Sequence, residues 1–74
     1  MERVIVVFKD HVTDEQISKY IQDVNSGGGS VGHRYDSVLK GFSATITPEI
    51  MSNFQSLQGD VIDYIEPDGV VTTQ

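Results

Sequence analysis

The chain has 74 residues, no cysteine and a formal net charge of −6. That length suits one small domain. The lack of cysteine excludes disulfide staples and thiolate metal sites, so a single apolar core must supply a stability of roughly 3–5 kcal/mol.

The charge is unevenly spread. The basic residues are Arg3, Lys9, Lys19, Arg34 and Lys40, after which come only acids: Glu49, Asp60, Asp63, Glu66 and Asp68. An acidic C-terminal half argues against a nucleic-acid backbone as partner. It suits a neutral or basic protein surface, or a set of helix N-termini. The opening Met1-Glu2-Arg3 leads into an apolar stretch of five residues, too short for a membrane span and without a signal peptide's cleavage region. The expectation is a cytoplasmic protein with no membrane contact, with a processed fragment of a longer precursor as the alternative.

Val4-Ile5-Val6-Val7-Phe8 is β-branched and aromatic, as a strand requires. Both of its alternating sets, Val4/Val6/Phe8 and Ile5/Val7, are apolar, which predicts a central strand whose second face is covered by a neighbour or a partner. Thr13-Asp14-Glu15-Gln16 starts a helix, with Thr13 as cap and Gln16 completing a capping box. Ile17, Tyr20, Ile21 and Val24 form one apolar stripe, and Gly27-Gly28-Gly29 ends the helix.

Residues 30–35 and 40–47 read as two strands joined around Asp36-Ser37, with Phe42, Ala44 and Ile46 alternating with polar residues. Thr47-Pro48-Glu49 starts a second helix whose stripe is Ile50, Phe54 and Leu57, with Gly59 as its stop. Residues 61–66 make a fourth strand.

The order β-α-β-β-α-β predicts an α+β, ferredoxin-like domain: a four-stranded antiparallel sheet with two helices on one face. The other face would be bare, carrying either Ile5 and Val7 or Val4, Val6 and Phe8. An exposed apolar sheet face marks a contact surface. The expected organisation is a domain over residues 1–66 and an extended tail over 67–74, because Pro67 and Gly69 end the regular structure.

Other chemistries fit poorly. Lys40-Gly41-Phe42-Ser43-Ala44-Thr45 partly mimics an RNA-binding strand, but its second stacking position is Ala44, which has no ring. His11 and His33 have no regular ligand spacing, no Gly-x-Ser-x-Gly elbow places a nucleophile, and Gly27-Gly28-Gly29-Ser30 follows a helix instead of the strand a phosphate loop needs. The chain therefore reads as a non-enzyme with no cofactor and no metal.

Several ordered segments resemble the fungal subtilisin-inhibitor family, which is related to the propeptides of subtilisin-like proteases (the inhibitor I9 type). They are Val4 to Lys9, the glycines at 27–29, Lys40-Gly41-Phe42, Leu57 to Ile62, Tyr64-Ile65-Glu66 and Asp68 to Gln74. The resemblance covers nearly the whole chain and implies an inhibitor of subtilisin-type serine proteases. Its sheet face would lie against two protease helices, and its C-terminal tail would enter the substrate cleft as a product would. By the same resemblance, Val70, Val71, Thr72, Thr73 and Gln74 form the protease-binding tail. Gln74 would fill the primary pocket and Val71 the apolar fourth subsite, and Glu66 and Asp68 would cap the two protease helices. Gln74 is polar where related propeptides often end in a larger or apolar residue, so Val71 is expected to matter more. The partner implied is a subtilisin-like protease bound by a monomer. The alternative is a chaperone-like helper for folding such a protease.

Overall fold

The structure is a computed structural model that describes residues 1–37 and 39–68. The elements are β1 (Glu2–Phe8), α1 (Asp14–Ser26), β2 (Ser30–Tyr35), β3 (Gly41–Ile46), α2 (Pro48–Gln55) and β4 (Ile62–Pro67). They form one antiparallel sheet in the order β2-β3-β1-β4, the ferredoxin-like α+β arrangement expected from the sequence.

Local chemistry fixes each helix. Thr13 caps α1: its hydroxyl accepts from the Gln16 amide at 3.2 Å, and the Gln16 side chain accepts from the Thr13 amide at 2.9 Å. Both halves of the capping box are thus closed. At the other end it is Gly28 that takes positive φ, at 96°, a conformation only glycine adopts without strain. Thr47 caps α2 by accepting from the Ile50 amide at 3.2 Å, with Pro48 in its first turn. This helix stops at Gln55, short of the expected Gly59. The Ser56 hydroxyl donates to the Asn53 carbonyl at 2.6 Å, and the Leu57 amide turns back to Phe54. Leu57 packs against the core from this turn, outside the helix.

Alternation along β1 settles which face is inside. Val4, Val6 and Phe8 join Phe42, Ala44 and Ile46 of β3, Ile62 of β4, Ile17 and Val24 of α1, and Ile50 and Phe54 of α2 in one buried cluster. Aromatic rings tie the layers together. Phe8 stacks on Tyr20 with centroids 5.4 Å apart and lies 5.8 Å from Phe42, and Phe54 meets Tyr20 and Phe42 edge-on at 6.2 and 6.3 Å. Both helices therefore cover a single face of the sheet.

Two long-range polar contacts hold the loops to this body. The Lys40 ammonium donates to the carbonyls of Asp10 and Val12, at 2.9 and 2.8 Å, pinning the β1–α1 connection to the start of β3. Arg34, on the helix side of β2, donates to the Ser18 hydroxyl at 3.0 Å and the Asp14 carbonyl at 3.1 Å.

Two substitutions test this account. Gly41 lies opposite Val7 in the β1–β3 ladder, and a Cβ there would collide with the Val6 carbonyl oxygen. Gly41→Ala should cost at least ~2 kcal/mol, a large share of a small domain's stability, read as a lower urea midpoint. Lys40→Met keeps the aliphatic stem but removes both donors, and should cost about 1–3 kcal/mol in the same measurement.

Candidate functional site: the open sheet face and the end of β4

Cross-strand partners lie on the same face of a sheet, so the register maps the side away from the helices. Three rows cross it. Tyr35, Gly41, Val7 and Tyr64 make the first row, His33, Ser43, Ile5 and Glu66 the second, and Ser30, Thr45 and Arg3 the third. Asp68, which follows β4, extends the third row beside Arg3.

Of the two faces the sequence left open, the uncovered one therefore carries Ile5 and Val7. It is less apolar than a run of five hydrophobic residues suggests. Val7 is 5% exposed and Ile5 half-buried, while the β3 residues beside them are glycine, serine and threonine. Small side chains along the centre keep the surface flat. Tyr64 stands up from one edge at 40% exposure, and His33 packs on Tyr35 at 5.1 Å along the other. A flat centre between aromatic edges can pack closely against a regular partner surface. β2 is irregular between Val31 and His33, where the register shifts by one residue. Such a bulge blunts an edge strand against unwanted pairing.

The two acids singled out from the sequence come together at one corner of this face, yet their surroundings differ. Glu66 pairs with Ile5 on the edge strand, is exposed, and forms no ion pair among the described residues. The Asp68 side chain is 20% exposed, and its carboxylate lies 3.6 Å from the Arg3 guanidinium. The Asp68 amide also donates to the Arg3 carbonyl at 3.0 Å. Hydrogen bonding to β1 thus continues one residue past the end of β4. Val70, Val71, Thr72, Thr73 and Gln74, the expected tail residues, lie outside the described residues.

Among the described residues, no group of three or more His, Cys, Asp or Glu side chains is placed to hold a metal ion, and no helix is long and apolar enough to cross a membrane. The role of Arg3 was not visible from the sequence. Its partner lies 65 positions away, and only the antiparallel pairing of β1 with β4 brings the two together.

Residues 3–74 match the peptidase inhibitor I9 family. The chain belongs to this family. It is 45% identical over 71 residues to serine proteinase inhibitor IA-2 of Pleurotus ostreatus, covering 95% of this chain and 93% of that protein. It is 44% identical to inhibitor IA-1 of the same fungus over the same shares. Protease B inhibitor 1 of Saccharomyces cerevisiae is 30% identical over 71 residues, covering 93% of this chain and 92% of its own. I9 members of this kind are inhibitors of proteinases, not enzymes, which agrees with the non-catalytic reading of the sequence.

In an I9 domain with one dry layer, the exposed side chains of the open face should contribute little to folding. Tyr64→Ala should therefore shift stability by no more than ~0.5 kcal/mol. Phe54→Ala, in the core, should cost about 3–5 kcal/mol. Parallel urea titrations of the two variants check the contrast.

Proposed function

We propose that this chain inhibits a subtilisin-type serine protease. In this reading its open sheet face lies against the enzyme, and Val70–Gln74 pass into the substrate cleft. The observation that carries the reading is the uncovered face itself, with Glu66 exposed and in no ion pair among the described residues at the corner where β4 ends. It stands beside membership of the I9 family and similarity to proteins named serine proteinase and protease B inhibitors.

The energetics favour a two-part contact. Ordering a tail costs roughly 1–2 kcal/mol per residue in backbone entropy. Main-chain hydrogen bonds made by strand addition along the cleft recover part of that cost, and alternate side chains select the subsites. Val71 is the apolar residue for the fourth subsite, preceded by Val70 and followed by Thr72, Thr73 and Gln74. The preformed sheet face contributes area without a comparable entropy loss, because its backbone is already fixed. Glu66, exposed at the rim, faces a partner helix N-terminus, where a carboxylate is worth typically 0.3–1 kcal/mol and up to ~2 when partly buried. The inhibitor acts as a monomer, since the face is reserved for the enzyme.

Inhibition of purified subtilisin by the full chain and by a form ending at Val70 tests this reading. Loss of the last four residues should weaken inhibition by about two orders of magnitude or more, given the main-chain contacts removed, while circular dichroism and the urea midpoint stay unchanged. Equal inhibition by both forms would remove the tail from the mechanism. A refolding assay on a propeptide-less subtilisin separates the chaperone alternative, because an inhibitor without that role leaves the refolding rate unchanged.

A further inference from the structure

Ser43 is the one buried polar residue among the described residues, at 7% exposure, and it lies in the middle row of the open face. Its hydroxyl forms no hydrogen bond among the described residues. The oxygen is nevertheless not sealed from solvent, so water reaches it in the free protein.

Its neighbours shape the ground around it. Ile5 and His33 stand beside it in the same row, one from each adjoining strand. The bulge in β2 brings Gly32 alongside, where an added Cβ would lie 3.4 Å from the Ser43 oxygen. With no side chain at 32 and a single hydroxymethyl group at 43, the otherwise flat centre is left with a shallow notch. Ser30, Thr45, Arg3 and Asp68 complete its walls, around a volume of about 320 Å³.

We infer that this notch is a specificity subsite of the open face: it takes an uncharged hydrogen-bonding side chain of the enzyme, an amide or a hydroxyl, and Ser43 is the residue that bonds to it. The inference rests on the proposed function, because an enzyme must cover the face for the notch to act.

The physical argument is one of polar satisfaction. A partner laid over the face expels the water above Ser43. A buried hydroxyl left without a partner carries the full desolvation penalty of that group, whereas a matched one contributes a net gain. A hydroxyl both donates and accepts, so an amide or a second hydroxyl matches it in either sense. The walls select among polar groups by charge. Arg3 and Asp68 face each other at 3.6 Å, so the notch has no net charge. A carboxylate entering it would meet Asp68, and an ammonium would meet Arg3. The apolar and aromatic residues of the face fit any regular surface of the right shape, but the notch penalises an enzyme that brings no polar group to it.

The experiment measures subtilisin inhibition constants and urea midpoints for the wild-type chain, Ser43→Ala, Gly32→Ala and the double variant. Gly32 is not among the positive-φ glycines, so alanine suits its backbone and narrows the notch by one methyl group. In the free protein neither substitution should lower the urea midpoint, because the Ser43 hydroxyl has no internal bond to lose. Inhibition should weaken about five- to thirtyfold in Ser43→Ala, the range for a hydrogen bond lost from a covered site. Gly32→Ala should weaken it by a similar factor, and the double variant no further, since both changes disable one contact.

Equal or tighter inhibition by Ser43→Ala would overturn the inference, because an enzyme that brings no polar group there gains from losing an unpaired hydroxyl. Inhibition within about twofold of wild type in both single variants would overturn it too, as the mark of a notch that merely keeps its water. A lower urea midpoint for Ser43→Ala would show that the hydroxyl is bonded within the free chain, and would remove the premise. If the wild-type chain fails to inhibit subtilisin, the proposed function falls and the subsite with it. If wild type inhibits and Ser43→Ala inhibits equally, the subsite alone falls.

Discussion

The packing of Phe8, Tyr20, Phe42 and Phe54 against one another is the interaction on which the rest of this small domain depends. Each ring comes from a different element: β1, α1, β3 and α2. A chain of this size has no disulfide and no second core to fall back on. Offset and edge-on aromatic contacts add roughly 0.5–1.5 kcal/mol per pair beyond their buried area, which is large against a total of a few kcal/mol. The same cluster draws both helices to one side of the sheet, and so determines that the other side stays uncovered.

That one-sidedness explains how polar groups are used. The cations Lys40 and Arg34 point inward from the sheet to loop and helix carbonyls, where they close off the connections that surround the core. Charge-assisted bonds of this kind are stronger than neutral ones, and each here joins segments 20 or more positions apart. The corner where β4 ends carries two carboxylates, Glu66 and Asp68, with Arg3 beside Asp68. A protein contact made there draws on short-range complementarity, with the long-range field screened beyond about 8–10 Å at physiological salt.

Much of this was legible in the sequence because the local signals agreed. The Thr13 capping box, the Thr47-Pro48 start, the glycines at 27–29 and the alternation through Phe42, Ala44 and Ile46 each pointed to the element that forms. The choice of inner face on β1 was not legible, since Ile5 and Val7 are as apolar as Val4, Val6 and Phe8. Only the packing of the helices decides it. The end of α2 was misjudged because Leu57 sits at helical spacing from Phe54 and still reaches the core, but does so from a turn closed by Ser56. The hydrogen bonds of Lys40 and the pairing of Arg3 with Asp68 carry no local signature at all. They exist because antiparallel pairing brings distant stretches of chain alongside each other, which residue type and spacing do not report.

The topology has a consequence for any segment that works beyond Asp68. In the order β2-β3-β1-β4, the start of the central strand and the end of the edge strand are neighbours. A segment leaving an edge strand ordinarily frays, because an edge residue has hydrogen-bond partners on one side only. Here that single side is β1, one of the two strands held by pairing on both edges. The last residue to bond to β1 therefore draws its rigidity from the centre of the sheet. In a domain with a single core, bonding the end of β4 to an inner strand ties that end to the strand that carries Val4, Val6 and Phe8 into the core.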